Sequence, residues 1–339
     1  MKILAIHHGH DAAFAIIEDG VPILHIELER YTRIKEGRVL NVWGWMIENG
    51  FEFDDIDYYV CMDRSGFKSS IAMPENIEKG LPMPNLTKQS VDPKVQPYLN
   101  NQDKQMITIG HHTSHAANAF YSSNFEDSLI ITIDGGGFEV ITDTHPQGRG
   151  TGRTAFRGNG KKVEPIYMGF GDPWAPRWSG TQSDGITAEL FNPDDKWQHD
   201  TPESIFIGQI WSHYTRDVFG LHAGPPHGHQ AGTVMALAAL GQPIYYNLMN
   251  PHPMYFRQMA QEIVNQQGDK GKYDIAASLQ KWTEEHIFDF IHQIKEHEKK
   301  TTDGKHLKNL CLSGGVVLNS VMTGKMFDRL GFENIYICP

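Results

Sequence analysis

Three apolar segments of the sequence each run directly into a glycine-rich turn, and this repetition most constrains the fold. The turns are HHGHD, DGGG and SGGVVLN, at residues 7–11, 134–137 and 313–319. A strand-like segment follows each of the first two turns, whereas a helix-like segment follows the third. Two strand–glycine turn–strand units in one chain predict an α/β protein built from two related halves.

Glycine-rich turns after buried strands also have a chemical meaning, because backbone N–H groups can approach phosphate oxygens where no side chain intervenes. Any one such turn has a purely conformational explanation. Two hairpin turns followed by a strand–helix turn are typical of the actin–sugar kinase–heat-shock ATPase fold. No GxxxxGK[ST] segment is present, which leaves the alternative P-loop fold without support. We therefore expect an actin-like ATPase fold around a nucleotide cleft.

The segment IGHHTSHAAN, residues 109–118, places three histidines within five positions. On a helix, His111 and His115 share a face and can converge on one metal ion, whereas His112 points elsewhere. A chance cluster is the alternative, since the chain contains 18 histidines. Asp134, at the start of the second glycine turn, can add a carboxylate ligand or hold Mg²⁺ near phosphates; otherwise it caps its own turn.

Charge and composition exclude several classes of protein. The formal net charge of −11 argues against non-specific binding to nucleic acid or to anionic membranes. Three widely spaced cysteines without a CxxC motif fit a reducing compartment better than a disulfide framework. No apolar run approaches the ~18 residues of a membrane span, and no signal peptide is evident. We expect a cytoplasmic protein.

Hydrophobic patterning places several elements between the glycine turns. Val42, Trp45 and Met46 have helical spacing, and residues 204–220 are also helix-like. The clearest helix is expected over residues 274–300, with Asp274 as its N-cap.

Other segments carry weaker patterns. We expect the strand at residues 128–137 to end in its glycine turn and to pair with an antiparallel strand at residues 138–145. Residues 65–104 are interpreted as an insertion or long loop, and residues 145–185 show little periodicity. Four residues of the region 145–200 are candidates for an acceptor pocket or, alternatively, for a packed loop core: Trp174, Arg177, Trp178 and Trp197.

Six blocks in register resemble the N-terminal part of the nodulation-protein and antibiotic O-carbamoyltransferases. They are HGHDAAFAIIEDG, ELERYTRIKEG, HHTSHAANAFY, IDGGG, GQIWSHYTRDVFG and LCLSGGVVLNS. The resemblance covers nearly the whole chain and extends to the Kae-type half of tRNA threonylcarbamoyl transferases. It implies two halves at about residues 1–125 and 126–339.

The resemblance also implies a cleft metal, Fe(II) or another divalent ion, with His111, His115 and Asp134 as its ligands. ATP with Mg²⁺ and carbamoyl phosphate would give a carbamoyl adenylate, which a hydroxyl of a small molecule attacks as AMP leaves. The expected nucleotide-contacting positions lie in the three turns: Gly9, Gly135, Gly136, Gly137, Gly314, Gly315 and Asn319.

Candidate catalytic residues lie in the first two blocks. His10, with Asp11 beside it, is a candidate base, because an imidazole titrates near neutral pH. Alternatively, His10 only hydrogen-bonds the turn backbone. Lys35 is expected to neutralise a phosphate, unless it is simply a solvated lysine.

The sequence departs from the family pattern in three places. The GKVMGLAPYG-like stretch is AGTVMALAALG, where Thr233 replaces the lysine and puts its phosphate contact in doubt. The KHD motif is KEG at residues 35–37, so a role for its histidine is lost. A further aspartate-containing turn and a YrdC-like domain do not follow Pro339. We expect a truncated chain, with a YrdC-like domain or subunit as partner.

Two alternatives from other classes remain. The chain can be a nucleotide-binding partner subunit, or a fragment of a split carbamoyltransferase, without activity of its own. An actin-like-fold kinase is disfavoured, because such kinases do not need an HxxxH metal pair.

Overall fold

The computed structural model describes residues 1–7, 10–37, 39, 42–51, 53, 55–62, 105–139, 149–170, 188–189, 206–250 and 252–338. The chain forms two compact units. The first contains Met1–His111, Glu139–Gly148 and Gly224–Gly228, and the second contains His112–Phe138, Arg149–Ala223 and His229–Pro339. The related halves inferred from the sequence, about 1–125 and 126–339, stay a prediction.

A five-stranded sheet with the order β3-β2-β1-β4-β5 forms the first unit. The predicted meander is confirmed, because β1 pairs antiparallel with β2 and β2 with β3, whereas β4 and β5 continue the sheet in parallel. Its strands are β1 Lys2–His7, β2 Ala13–Glu18, β3 Val21–Glu27, β4 Tyr58–Met62 and β5 Gln105–Ile109.

Two short helices accompany this sheet, α1 at Glu29–Thr32 and α2 at Val42–Glu48. Val42 and Met46 of α2 are buried in one core with Leu4 and Phe14, as their helical spacing predicts. The alternation of buried and partly exposed residues along β1 places Leu4 and Ile6 on the same face.

A six-stranded sheet with the order β13-β12-β6-β7-β8-β9 forms the centre of the second unit. Strand β12 runs parallel to β6 and to β13, whereas β8 pairs antiparallel with both β7 and β9. Its strands are β6 Asp127–Glu139, β7 Arg149–Asn159, β8 Lys162–Phe170, β9 Ala188–Glu189, β12 Asn309–Ser313 and β13 Asn334–Ile337. The two-residue strands β10 Ala223–Gly224 and β11 Gly228–His229 form a separate two-stranded sheet.

Six described α-helices belong to the second part of the chain. One of them, α4, continues directly as a π-helix over Tyr214–Val218. The helices are α3 His111–Ser123, α4 Ile207–His213, α5 Ala231–Ala238, α6 Pro253–Gln267, α7 Asp269–Thr301 and α8 Ser320–Leu330. Single 3₁₀ turns lie at Tyr246–Met249, Lys305–Lys308 and Gly315–Leu318. No helix in the described part of the chain is both long and apolar enough to cross a bilayer.

Helices α3 and α7 lie on opposite faces of the six-stranded sheet. On one face, His112 Nδ1 is 3.2 Å from Thr154 Oγ1 of β7. On the other face, the guanidinium of Arg153 lies 4.6 Å from the ring centre of Phe290 of α7. The residues that alternate along β7 therefore pack against different helices, and the sheet is covered on both sides.

Two sequence predictions about this unit are wrong, and a third segment, of weak patterning, contains strands that were not predicted. The glycines of DGGG do not end the strand, because β6 runs through them to Glu139. The segment 145–185 contains the strand pair β7–β8; residues 151–156 are all buried, so the alternation that marks a half-buried strand is missing. Asp274 is not the N-cap of α7, which begins at Asp269; its carboxylate instead accepts a hydrogen bond from the Gln242 backbone N–H at 2.9 Å.

Some predicted features lie outside the described residues. They are the whole predicted insertion at 65–104, most of the predicted strand at 138–145, Gly9, Trp174, Arg177, Trp178 and Trp197.

Candidate metal centre

Two histidines of α3 and one aspartate of β6 come together at one end of the six-stranded sheet. One nitrogen from each of His111 and His115 and one carboxylate oxygen of Asp134 lie within 4.8 Å of one another, and all three residues are half-buried. His115 Nε2 and Asp134 Oδ2 are 3.2 Å apart. Two atoms each bound at about 2.1 Å to one ion stand about 3.0 to 3.4 Å apart, so this spacing suits a shared metal.

The rotation of α3 about its axis places the histidines at this site. The helix buries His112, Ala116, Ala119 and Phe120. Because residues three and four apart share a helix face, burial of this stripe leaves His111 and His115 together on a neighbouring face. His112 points away from this face into the core, as its position on the helix predicts.

The carboxylate of Asp134 is held by the backbone of two glycines. Its Oδ1 accepts hydrogen bonds from Gly135 N–H at 2.7 Å and from Gly315 N–H at 3.3 Å, whereas its Oδ2 faces His115. The glycine-rich segments at residues 134–137 and 313–319 therefore meet at one side chain. One carboxylate oxygen is fixed by the backbone, and the other is directed towards the histidines.

Gly314 brings the third turn against β6. Its φ of +97° is a conformation that side chains disfavour. In addition, a Cβ at this position would stand 2.4 Å from the carbonyl oxygen of Ile133. Packing against β6 therefore requires a glycine at position 314, whether or not this residue also contacts a nucleotide.

The start of α4 packs equally closely against β6. A Cβ on Gly208 would stand 2.6 Å from both Cα and N of Gly135. A glycine is therefore required on the helix for it to approach the residue that follows Asp134. No local pattern marks Gly208, which lies within the block GQIWSHYTRDVFG.

Ser313, at the end of β12, completes the surroundings of His115. Its Oγ lies 3.2 Å from His115 Nδ1, while the other ring nitrogen faces Asp134. Histidines that bind metals typically hydrogen-bond through their second nitrogen, which fixes the ring orientation and tautomer. Two imidazoles and one carboxylate suit Fe(II) or another divalent transition ion. The donor set therefore fits the metal that the family resemblance implies.

The first glycine turn brings His10 and Asp11 together in the first unit. His10 Nδ1 lies 2.6 Å from Asp11 Oδ2, and both side chains are more than half exposed. His7 Nε2 contacts the carbonyl oxygen of His10 at 3.0 Å. Burial, with smaller contributions from the charges of His10 and His111, lowers the pKa of His7 to about 4. His7 is therefore neutral at pH 7, and its ring contacts the backbone of this turn.

Lys35 is exposed, and its alkyl chain lies against the backbone of another loop in the first unit. A Cβ on Gly228 would stand 2.9 Å from Lys35 Cδ. Lys35 therefore has a defined neighbour in Gly228, whereas contact of Lys35 with a phosphate stays a prediction.

Asn319 has a structural role at the start of α8. Its Oδ1 accepts from Met322 N–H at 3.1 Å and caps the helix, and its Nδ2 donates to Gln280 Oε1 at 2.7 Å. Contact of Asn319 with adenosine stays a prediction, as do the nucleotide contacts of Gly136 and Gly137.

Comparisons with known proteins agree with this architecture. The family described as Carbamoyltransferase N-terminus matches residues 2–339. The chain is 24% identical to protein sll1178 of Synechocystis sp., over 97% of this chain and 53% of that protein. It is 25% identical to nodulation protein NolNO of Sinorhizobium fredii, over 97% of this chain and 44% of NolNO. It thus spans about half the length of the curated relatives that it matches.

A solved structure shows the same fold. HypF of T. kodakarensis matches with a TM-score of 0.51 at 15% identity, over 99% of this chain and 44% of HypF. HypF has an actin-like ATPase fold, so the predicted fold class is confirmed. The family match extends over nearly every residue, and the chain therefore belongs to the carbamoyltransferase N-terminus family.

Proposed function

We propose that this chain is the nucleotide- and metal-binding part of an O-carbamoyltransferase. The reaction moves a carbamoyl group from carbamoyl phosphate, through carbamoyl adenylate, to a hydroxyl of a small molecule, with ATP and Mg²⁺. The convergence of His111, His115 and Asp134, in a chain of this family, carries the proposal.

The three residues would hold Fe(II) or another divalent ion, which supplies positive charge for the phosphate oxygens of the nucleotide. Ser313 orients His115, and the backbone N–H groups of Gly135 and Gly315 orient Asp134. The donor atoms are therefore positioned by the protein before an ion binds, which reduces the reorganisation that binding requires.

His10 is the proposed base for the acceptor hydroxyl. Its Nδ1 lies 2.6 Å from Asp11 Oδ2, and an imidazole paired with a carboxylate is a common arrangement of a general base. In the transfer step, the hydroxyl oxygen forms a bond to the carbamoyl carbon, the bond from that carbon to the AMP phosphate oxygen breaks, and the proton moves to His10. Lys35 is the proposed partner of a phosphate group.

Metal analysis of purified protein tests the first part of the proposal. We expect about one divalent ion per wild-type chain, and loss of that ion in His111→Ala, His115→Ala and Asp134→Asn. His292→Ala is the matched control, because His292 is exposed on α7 and belongs to no described ligand group. Wild-type protein without the ion, or triad variants that retain it, would contradict the metal site.

Transfer of labelled carbamoyl phosphate to a hydroxylated acceptor, with AMP formed from ATP, tests the reaction. A YrdC-like domain or subunit is the proposed source of carbamoyl adenylate, and the assay is therefore run with and without a separately produced YrdC-like protein. ATP binding without turnover in both assays would instead favour the non-catalytic partner subunit. ADP with a phosphorylated acceptor would indicate a kinase.

A further inference from the structure

A cluster of charged side chains lies where the π-helix after α4 meets α6. Asp217 of the π-helix accepts hydrogen bonds from Arg216 Nε at 2.7 Å and from Arg216 Nη2 at 3.2 Å. It also forms an ion pair with Arg257 Nη1 of α6. One carboxylate is thus shared between two guanidinium groups. π-helical segments often occur at functional sites, so this position is a candidate for a binding site.

The charges of this cluster do not cancel. Burial alone would raise the pKa of Asp217, but hydrogen bonds from Arg216 and His213 and the charges of both arginines lower it, so the carboxylate is ionised at pH 7. Burial, assisted by the charges of Arg216 and Arg257, lowers the pKa of His213, so its ring is neutral there. Two arginines and one aspartate leave one net positive charge.

This excess charge faces a cavity. The cavity has a volume of about 630 Å³ and is lined by Arg216, Asp217, Arg257, Gln258 and Gln261. Each guanidinium carries five N–H donors, and Asp217 is bonded to Nε and Nη2 of Arg216 and Nη1 of Arg257. The two glutamines add amide donors without negative charge. The lining therefore offers donors and net positive charge, the combination that favours an oxyanion.

We propose that this cavity binds one oxyanionic group, a carboxylate or a phosphate, of a small molecule through Arg216 and Arg257. An ion network that only ties the π-helix to α6 is the competing explanation. A single arginine would satisfy Asp217 for that purpose, whereas a second guanidinium adds repulsion that an anion would relieve. The site is separate from the proposed metal ligands, and the proposal does not rest on carbamoyl transfer.

Titration of the metal-free protein with inorganic phosphate and with acetate tests the site. Binding is followed by the side-chain Nε–H signals of ¹⁵N-labelled arginine, in protein from which EDTA treatment and subsequent desalting have removed both metal and chelator. The same titrations in His115→Ala remove any contribution from the metal centre. We expect saturable binding in both proteins. The anion with the lower Kd identifies the chemistry, and failure of the metal proposal would leave this result unchanged.

Variants then assign the binding. We expect Arg257→Gln to weaken the affinity at least ~10-fold, through loss of a charge-assisted hydrogen bond. Gln261→Glu places a negative charge in the lining and should weaken the anion affinity by a similar factor, while both arginine–aspartate contacts remain. A loss of affinity in this variant would therefore not come from a fold defect of the kind that Arg257→Gln could cause. Arg329→Gln is the matched control, since Arg329 is a half-exposed arginine paired with Glu285. No saturable binding in wild type, or equal losses in Arg329→Gln, would overturn the proposal.

Discussion

Ser313 Oγ lies 3.2 Å from His115 Nδ1, although the two residues are 198 positions apart in the sequence. The contact joins the end of β12 to the first turns of α3. It orients the imidazole whose other nitrogen faces Asp134 at 3.2 Å. The position of His115 is therefore set by a strand from a distant part of the chain as well as by its own helix.

Ser313→Ala tests whether this contact supports metal binding. Without the hydroxyl, the ring of His115 loses the partner of Nδ1, and we expect the metal affinity to fall about 10-fold. The measurement is competition for the metal against a chelator of known affinity. Ser320→Ala serves as the control, because Ser320 is exposed at the start of α8 and its hydroxyl contacts Met235 instead. Equal affinities of Ser313→Ala and wild type would refute the supporting role.

Gly208→Ala tests the close approach of α4 to β6. The added methyl group would stand 2.6 Å from the Gly135 backbone, so we expect a loss of about 2 kcal/mol in the free energy of unfolding. Gly324→Ala is the control, since nothing lies within 4 Å of a Cβ at this position inside α8. There the better helix former should stabilise the protein by up to about 1 kcal/mol. Urea denaturation of both variants measures the difference, and a loss in both would argue against a specific contact.

Glu298→Gln tests a buried carboxylate of α7 that contacts Arg157 of β7 and His306. Glu298 is 1% exposed, and its Oε2 lies 2.6 Å from Arg157 Nη2 and 2.8 Å from His306 Nε2. Loss of the carboxylate charge leaves the guanidinium of Arg157 without its counter-charge, and we expect destabilisation by about 3 kcal/mol at pH 7. Urea denaturation gives the value.

The pH dependence of this effect has a definite sign. Burial alone would raise the pKa of Glu298, but hydrogen bonds from His306 and Arg157 lower it below its ordinary value of 4.5. The stabilisation is therefore complete above about pH 4.5 and is lost as the pH falls through the lower folded value. The difference between wild type and Glu298→Gln should shrink in acid; a constant difference would contradict this assignment.

His286→Phe tests a second titrating group in a different pH range. Burial and the charge of Arg153 lower the pKa of His286 to about 4, and its ring stacks on Trp282 at 4.0 Å. Between pH 6.5 and 4 the unfolded chain binds a proton that the folded chain does not, so acid destabilises the wild type. We expect a contribution of about 2 kcal/mol over this range, allowing for partial exposure.

Phenylalanine retains the stacking but cannot take up the proton, so the unfolding free energy of His286→Phe should depend less on pH over this range. Unfolding measured at several pH values gives the two slopes. His292→Gln, which changes an exposed histidine of the same helix, should leave the wild-type slope unchanged. Identical slopes for wild type and His286→Phe would show that His286 does not carry the effect.

Local patterns predicted some parts of the molecule and missed others for physical reasons. The i, i+4 spacing of His111 and His115 placed both on one helix face, because α-helical geometry is a local property. Strand β7 is not evident from the sequence because residues 151–156 are all buried, and burial on both faces removes the alternation that marks a half-buried strand. The start of α7 was misplaced because Gly268, with its φ of +61°, joins α6 to α7 and lets the helix begin before the apolar stripe.

The sequence by itself determined the antiparallel arrangement of β1, β2 and β3, the family, and the placement of His111 and His115 on one helix face. These features depend on neighbouring residues along the chain, or on sequence motifs that can be recognised without knowing which residues are in contact. Only the tertiary structure decided that Gly315 holds Asp134, that Ser313 orients His115, and that Arg216 and Arg257 share one carboxylate. Except for Arg216 beside Asp217, each of these relationships joins residues far apart in sequence, and their distances arise only when the sheets and helices pack.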